Sequence, residues 1–149
     1  MTGLLWSGHS CTERCDMEIK KTIRVLLADD HPLVRRGIRR MLEKAPHIVV
    51  VGEADTGAMA IRLVRELKPD VLLLDMEMPD MKGYTVTRQL RECNIPVSIL
   101  ILSACDDDHF IREILREGAD GYLVKGESPE KIRQSVVHVS EKYSYPAIA

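Results

Sequence analysis

The chain has 149 residues, of which 45% are apolar and 30% charged, and its 21 Lys and Arg against 23 Asp and Glu leave a net charge of -2. That mix excludes wholesale disorder, and the balanced charge excludes a dedicated nucleic-acid binder. No apolar run approaches the roughly 20 residues of a membrane span, so no membrane partner is expected. A chain this long buries about two-thirds of its unfolded surface and needs no crosslinks.

Residues 1–21 are read as a flexible leader. It lacks the basic start of a signal peptide, and its apolar stretch is only Leu4-Leu5-Trp6. Met17 is a candidate start, with residues 1–16 as an upstream extension. His9, Cys11 and Cys15 are metal-ligand types with no fourth partner nearby, and an unstructured leader is the simpler account. The four cysteines do not form the pattern of a disulfide framework, which points to a reducing cytoplasm.

From residue 23 the pattern is regular. Ile23–Ala28 is an apolar strand ending at Asp29-Asp30. A helix follows with Pro32 in its first turn and Val34, Ile38, Met41 and Leu42 on one face. Ile48–Val51 is the second strand, closed by Gly52. Thr56 caps a second helix carrying Ala60, Ile61, Val64 and Leu67, which Pro69 stops. Val71–Leu74 is the third strand and ends at Asp75. The third helix spans about Gly83 to Cys93, with Val86 and Leu90 inward. Val97–Leu102 is the fourth strand and ends at Ser103. The fourth helix runs from about Asp107 to Glu117 with Phe110, Ile111, Ile114 and Leu115 apolar, and Gly118 ends it. Gly121–Val124 is the fifth strand and ends at Lys125. Ser128 and Pro129 open a fifth helix with Ile132, Val136 and Val139 inward.

Five continuously apolar strands alternating with five helices imply an α/β fold with a doubly wound parallel sheet. In such a sheet, sites form beyond the carboxyl ends of the strands, near the point where strand order reverses. With the order 2-1-3-4-5, the ends of strands one, three, four and five converge. They bring Asp29, Asp30, Asp75, Ser103 and Lys125 together.

These residue types suit phosphoryl transfer to a carboxylate. Clustered carboxylates repel one another, and a hard divalent cation relieves that; oxygen ligands favour Mg²⁺ or Mn²⁺. Such an ion also screens an anionic nucleophile from an anionic phosphoryl donor. Asp75 is the best nucleophile, alone at the central strand and already ionised. Lys125 would neutralise the phosphoryl oxygens, and Ser103 would donate a hydrogen bond to one of them.

The segments VLLADDHPLVRRGI, DVLLLDMEMPDMKG, ILILSA and GADGYLVKG resemble the receiver domain of two-component response regulators. Pro79 and Gly83 also fall in the loop after Asp75 as they do in that family. The resemblance covers residues 23–140 and implies a five-stranded, flavodoxin-like receiver fold. It further implies that Asp29, Asp30, Asp75 and the backbone carbonyl of Glu77 hold Mg²⁺. Ser103 and Tyr122 would act as a switch pair. A sensor histidine kinase would supply the phosphoryl group, and a receiver homodimer is a further expected partner. Such a domain is no enzyme in the ordinary sense, since it only phosphorylates itself and slowly loses the group. Gly126 departs from the pattern, since many receivers carry proline after the lysine.

The wording DDHPLVRRGI also resembles the subfamily with a C-terminal LuxR-type helix-turn-helix. Residues 22–141 then form the receiver, 142–149 begin an interdomain linker, and DNA would be reached only through a domain absent from this chain. A stand-alone receiver acting through protein partners is the alternative. A haloacid-dehalogenase-type phosphohydrolase fits less well, because Glu77 stands where its acid/base aspartate belongs. Arg35, Arg36, Arg39 and Arg40 are read as a solvated helix face, with kinase docking as the functional alternative. His31 is read as a turn residue, and Cys105 as a neighbour of the site.

Overall fold

The computed structural model describes residues 21–144, so the leader residues His9, Cys11, Cys15 and Met17 and the final residues 145–149 lie outside it. Strands and helices alternate strictly: β1 (Ile23–Ala28), α1 (Pro32–Glu43), β2 (Ile48–Ala54), α2 (Gly57–Leu67), β3 (Val71–Asp75), α3 (Gly83–Glu92), β4 (Ser98–Ser103), α4 (Asp108–Arg116), β5 (Gly121–Val124) and α5 (Pro129–Ser144). The five strands form one sheet in the order β2-β1-β3-β4-β5, and all pairings are parallel.

The two-residue period of a strand sends neighbouring side chains to opposite faces, and here both faces are covered. Leu26, Leu72, Leu74, Ile99 and Ile101 pack with Val64, Val86, Leu90 and Ile114 of α2, α3 and α4. Val25, Leu27, Leu73, Leu100 and Leu102 pack on the other face with Ile38 and Leu42 of α1 and Ile132, Val136 and Val139 of α5. That two-sided burial explains why β3 reads as an unbroken apolar run.

Helix starts follow the expected chemistry. Thr56 Oγ1 accepts from the Met59 N–H at 3.1 Å, Asp107 from Phe110 at 3.0 Å and Ser128 from Lys131 at 3.2 Å. Gly118, at φ +115°, ends the α4 segment in a conformation that favours glycine.

Three expectations need correction. β2 does not close at Gly52 but continues to Ala54, because β1 keeps pairing after the register skips Val51 at a bulge. Val34 and Leu115 are both 40% exposed. The buried stripe of α1 begins a turn later, at Ile38, and Leu115 stands about 100° around the helix from the buried Ile114.

The amino-terminal side of the sheet is held by a buried acid. Asp120, whose side chain is 2% exposed, accepts from the Ile99 N–H at 2.8 Å, Arg91 Nη2 at 2.8 Å and Lys142 Nζ at 2.5 Å. It thereby ties α3, β4 and α5 together. Asp120→Ala removes the carboxylate that Arg91 Nη2 and the Ile99 N–H donate to, and is expected to destabilise the domain by about 3 kcal/mol. A urea-unfolding midpoint within error of wild type would contradict this. Among the described residues, no helix is long and apolar enough to cross a membrane.

Candidate functional site

The carboxyl ends of β1, β3, β4 and β5 meet at one edge, and each delivers its residue through backbone pairing. The Asp29 N–H donates to Ala54 O at 3.0 Å, extending the β1–β2 ladder by one residue. Asp75 closes β3 opposite Leu102 of β4. The Lys125 N–H donates to Ser103 O at 2.7 Å, so the lysine follows β5 in fixed register.

Asp29 and Asp75 are 1% and 2% exposed. Lys125 Nζ stands 3.1 Å from Asp75 Oδ1, which also accepts from the Glu77 N–H at 3.3 Å. Burial raises the Asp75 carboxyl above its ordinary range. The hydrogen bond from Lys125 opposes that, and the Asp29 charge adds to it.

Among the described residues, the buried carboxylate oxygens Asp29 Oδ2 and Asp75 Oδ2 have no hydrogen-bond partner, and a third, Asp30 Oδ1, faces the His31 ring. Unsatisfied buried acceptors are costly. Donor atoms of Asp29, Asp30, His31 and Asp75 all lie within 4.8 Å of one another. An oxygen-rich cluster with free lone pairs is the donor set a hard divalent cation requires.

Ser103 is buried at the end of β4, and its Oγ accepts from the Cys105 N–H at 3.2 Å. Tyr122, half-buried on β5, donates its hydroxyl to Cys105 O at 2.6 Å. Both members of the expected switch pair are thus fastened to one residue of the β4–α4 loop. Burial pushes the Tyr122 phenol up. The Glu77 carboxylate is exposed and paired with Lys82, away from Asp75. At Gly126, φ is +100°, and no cis peptide occurs among the described residues, Lys125–Gly126 included.

The loop after Asp75 is pinned at two points. Asp80 accepts from the N–H groups of Gly57 and Ala58 at 2.7 and 2.9 Å, at the start of α2. At Gly83, a Cβ would sit 3.0 Å from Met76 Cα and 3.1 Å from Asp75 O, both backbone atoms. Gly83→Ala must therefore push the Asp75–Met76 backbone aside, at an expected cost of about 1–3 kcal/mol. Chemical denaturation checks this, and unchanged stability would contradict it.

Several features were not visible in the sequence. The four arginines of α1 do not form one solvated face. Arg35 Nε stands 2.6 Å from Glu53 of β2, and Arg39 pairs with the same carboxylate. Burial works to raise Glu53, but the two guanidinium groups outweigh it and hold the carboxyl below its ordinary value. Arg35 also donates to Asp29 O at 2.7 Å, so it braces the site from behind. Arg36 and Arg40 remain exposed. His31 is the residue before α1, as a turn reading implies, but its Nδ1 also stands 3.0 Å from Asp30 Oδ1. Its position directly after the acidic pair was the available signal.

The family profile described as the response regulator receiver domain matches residues 25–137. The chain is 40% identical over 129 residues to the response regulator GacA of Pseudomonas aeruginosa, covering 85% of this chain and 60% of that one. It is 38% identical over 120 residues to the nitrate/nitrite response regulator protein NarL of Escherichia coli, covering 80% of this chain and 56% of that one. The chain therefore spans under two-thirds of the length of these curated relatives. Among solved structures, the signal receiver domain of NarL from Mycobacterium tuberculosis superposes with a TM-score of 0.79 at 38% identity, covering 82% of this chain and 98% of that one. Sequence, fold and edge geometry agree: this chain belongs to the response regulator receiver domain family.

Proposed function

We propose that residues 22–141 accept a phosphoryl group on Asp75 from a sensor histidine kinase. The observation that carries this is the state of the Asp75 carboxylate. It is buried, one oxygen is held by Lys125, and the other is unpartnered beside two further carboxylates. An Asp75 oxygen attacks phosphorus, and the donor's bridging atom leaves with the electron pair of the broken bond. Asp29, Asp30 and Asp75, with the Glu77 carbonyl that the family resemblance adds, would hold Mg²⁺, or Mn²⁺ in its place. The ion, when bound, supplies the charge neutralisation that lets two anions meet.

Lys125 remains beside the acceptor and offsets the charge that develops on the phosphoryl oxygens. Ser103 exchanges its bond with the Cys105 N–H for one to a phosphoryl oxygen. The β4–α4 loop then loses one of its two ties and Tyr122 moves with it. The altered face of α4, β5 and α5 is what a second receiver or an output domain meets. A 40% identity over 115 residues to the probable transcriptional regulatory protein NarL of Mycobacterium tuberculosis supports control of transcription through a DNA-binding domain outside this chain.

Incubation with acetyl phosphate and Mg²⁺ tests the proposal. Intact-mass analysis should show one added phosphoryl group, and EDTA should prevent it. Uptake that ignores EDTA would contradict the role given to the acidic pocket.

A further inference from the structure

The acidic pocket contains one donor that is not an oxygen. His31 Nδ1 stands 3.0 Å from Asp30 Oδ1 and 3.6 Å from Asp29 Oδ1. Its ring is 66% exposed, so solvent leaves it free to adjust. The His31 main chain is not free, because its N–H donates to Asp29 Oδ1 at 2.9 Å and its carbonyl accepts the Arg35 N–H at 2.9 Å. The imidazole is thus tethered at the mouth of a pocket whose inner wall carries the unpartnered oxygens of Asp29 and Asp75.

Two donors each about 2.1 Å from a shared ion stand about 3.0 Å apart at neighbouring octahedral positions and about 3.4 Å apart in a tetrahedron. The observed imidazole–carboxylate separations of 3.0 and 3.6 Å span those values. Mg²⁺ takes oxygen ligands and keeps its waters, so a nearby imidazole gives it little. Borderline ions such as Co²⁺ and Zn²⁺ take imidazole readily and bind mixed nitrogen and oxygen sites more tightly.

We propose that His31 is a ligand-selecting residue of the acidic pocket, adding its Nδ1 to the carboxylates when a borderline first-row ion replaces Mg²⁺. The inference rests on the pocket being a divalent-cation site. It assigns this chain a stronger preference for such ions than three carboxylates alone would give. On binding, the ion takes the place of the Asp30–His31 contact.

Titration calorimetry with Mg²⁺ and with Co²⁺ tests this on the full chain carrying Cys11→Ser and Cys15→Ser, which removes leader thiols as competing ligands. His31→Ala should weaken Co²⁺ binding by roughly tenfold and leave Mg²⁺ within twofold. In the Co²⁺ form, one histidine among the five in the chain should show strongly shifted ring protons in NMR, and His31→Ala should remove that signal. Asp75→Asn should weaken both ions. Equal Co²⁺ affinity with and without His31, or an unshifted His31 ring, would overturn the inference while leaving the Mg²⁺ pocket intact. If Mg²⁺ does not bind, or Asp75→Asn affects neither ion, the pocket reading itself fails.

Discussion

Asp75→Asn is expected to abolish phosphoryl uptake and, at the same time, to stabilise the metal-free protein. The first effect follows from removing the nucleophilic oxygen. The second follows from what holds Asp75 in the absence of an ion. Its carboxylate is 2% exposed and faces the Asp29 charge, and burial raises its pKa despite Lys125. The folded state thus keeps the Asp75 proton to higher pH than the unfolded chain does. Stability from this group is present below the unfolded value of about 3.9 and is lost as pH rises through the raised folded value. Above that raised folded value the metal-free protein carries the whole penalty. The amide removes it, and the melting temperature should rise by roughly 3–6 °C, the response of a domain this size to about 1 kcal/mol. The difference between variant and wild type should shrink when Mg²⁺ is added, and again when the pH is lowered below the unfolded value. Calorimetry in EDTA across this pH range checks the sign. A destabilised Asp75→Asn protein would contradict the electrostatic account even if phosphorylation were lost.

Lys125→Ala is expected to slow phosphoryl uptake by about 10²–10³-fold, the usual consequence of losing one positioned charge partner at a reacting oxygen. Its Nζ is 3.1 Å from Asp75 Oδ1 and reaches over from β5, where the backbone bond to Ser103 O fixes its origin. Removing it also withdraws the one hydrogen bond from a cation that lowers the Asp75 pKa, so the carboxyl rises further and its ionised form is disfavoured. Lys125→Arg should recover only part of the rate, because a planar guanidinium does not reproduce a compact ammonium at this depth. Single-turnover uptake at saturating Mg²⁺ measures this. A rate within a few-fold of wild type would show that the charge on Asp75 is balanced from elsewhere.

The parts of this arrangement that the sequence displayed are those with a local signal. The run Val71–Leu74 announces a strand buried on both faces, and the polar residue just after each such run marks the edge where Asp29, Asp75, Ser103 and Lys125 meet. What escaped the reading lacks a local signal. β2 continues through Gly52-Glu53-Ala54 only because β1 pairs with it, and a Gly-Glu dipeptide carries no strand preference of its own. Val34 and Leu115 lie close to apolar helical stripes, but periodicity does not say where the opposing layer ends. Arg35 and Arg39 look like a solvated patch until Glu53, 18 and 14 residues away, is folded against them. Cys105 holds Ser103 and Tyr122 through its backbone rather than its thiol, so residue type gave no hint of its role.

The central claim is that one particular carboxylate takes the phosphoryl group. Its most direct measurement is to phosphorylate the full chain with acetyl phosphate and Mg²⁺ and then reduce it with borohydride, which converts an aspartyl phosphate to homoserine. Peptide mass sequencing then locates the reduced residue. The account predicts homoserine at position 75 alone, with Asp29 and Asp30 unchanged. Reduction at either of those two, or a stable phosphoryl group on a serine or histidine with Asp75 intact, would contradict it.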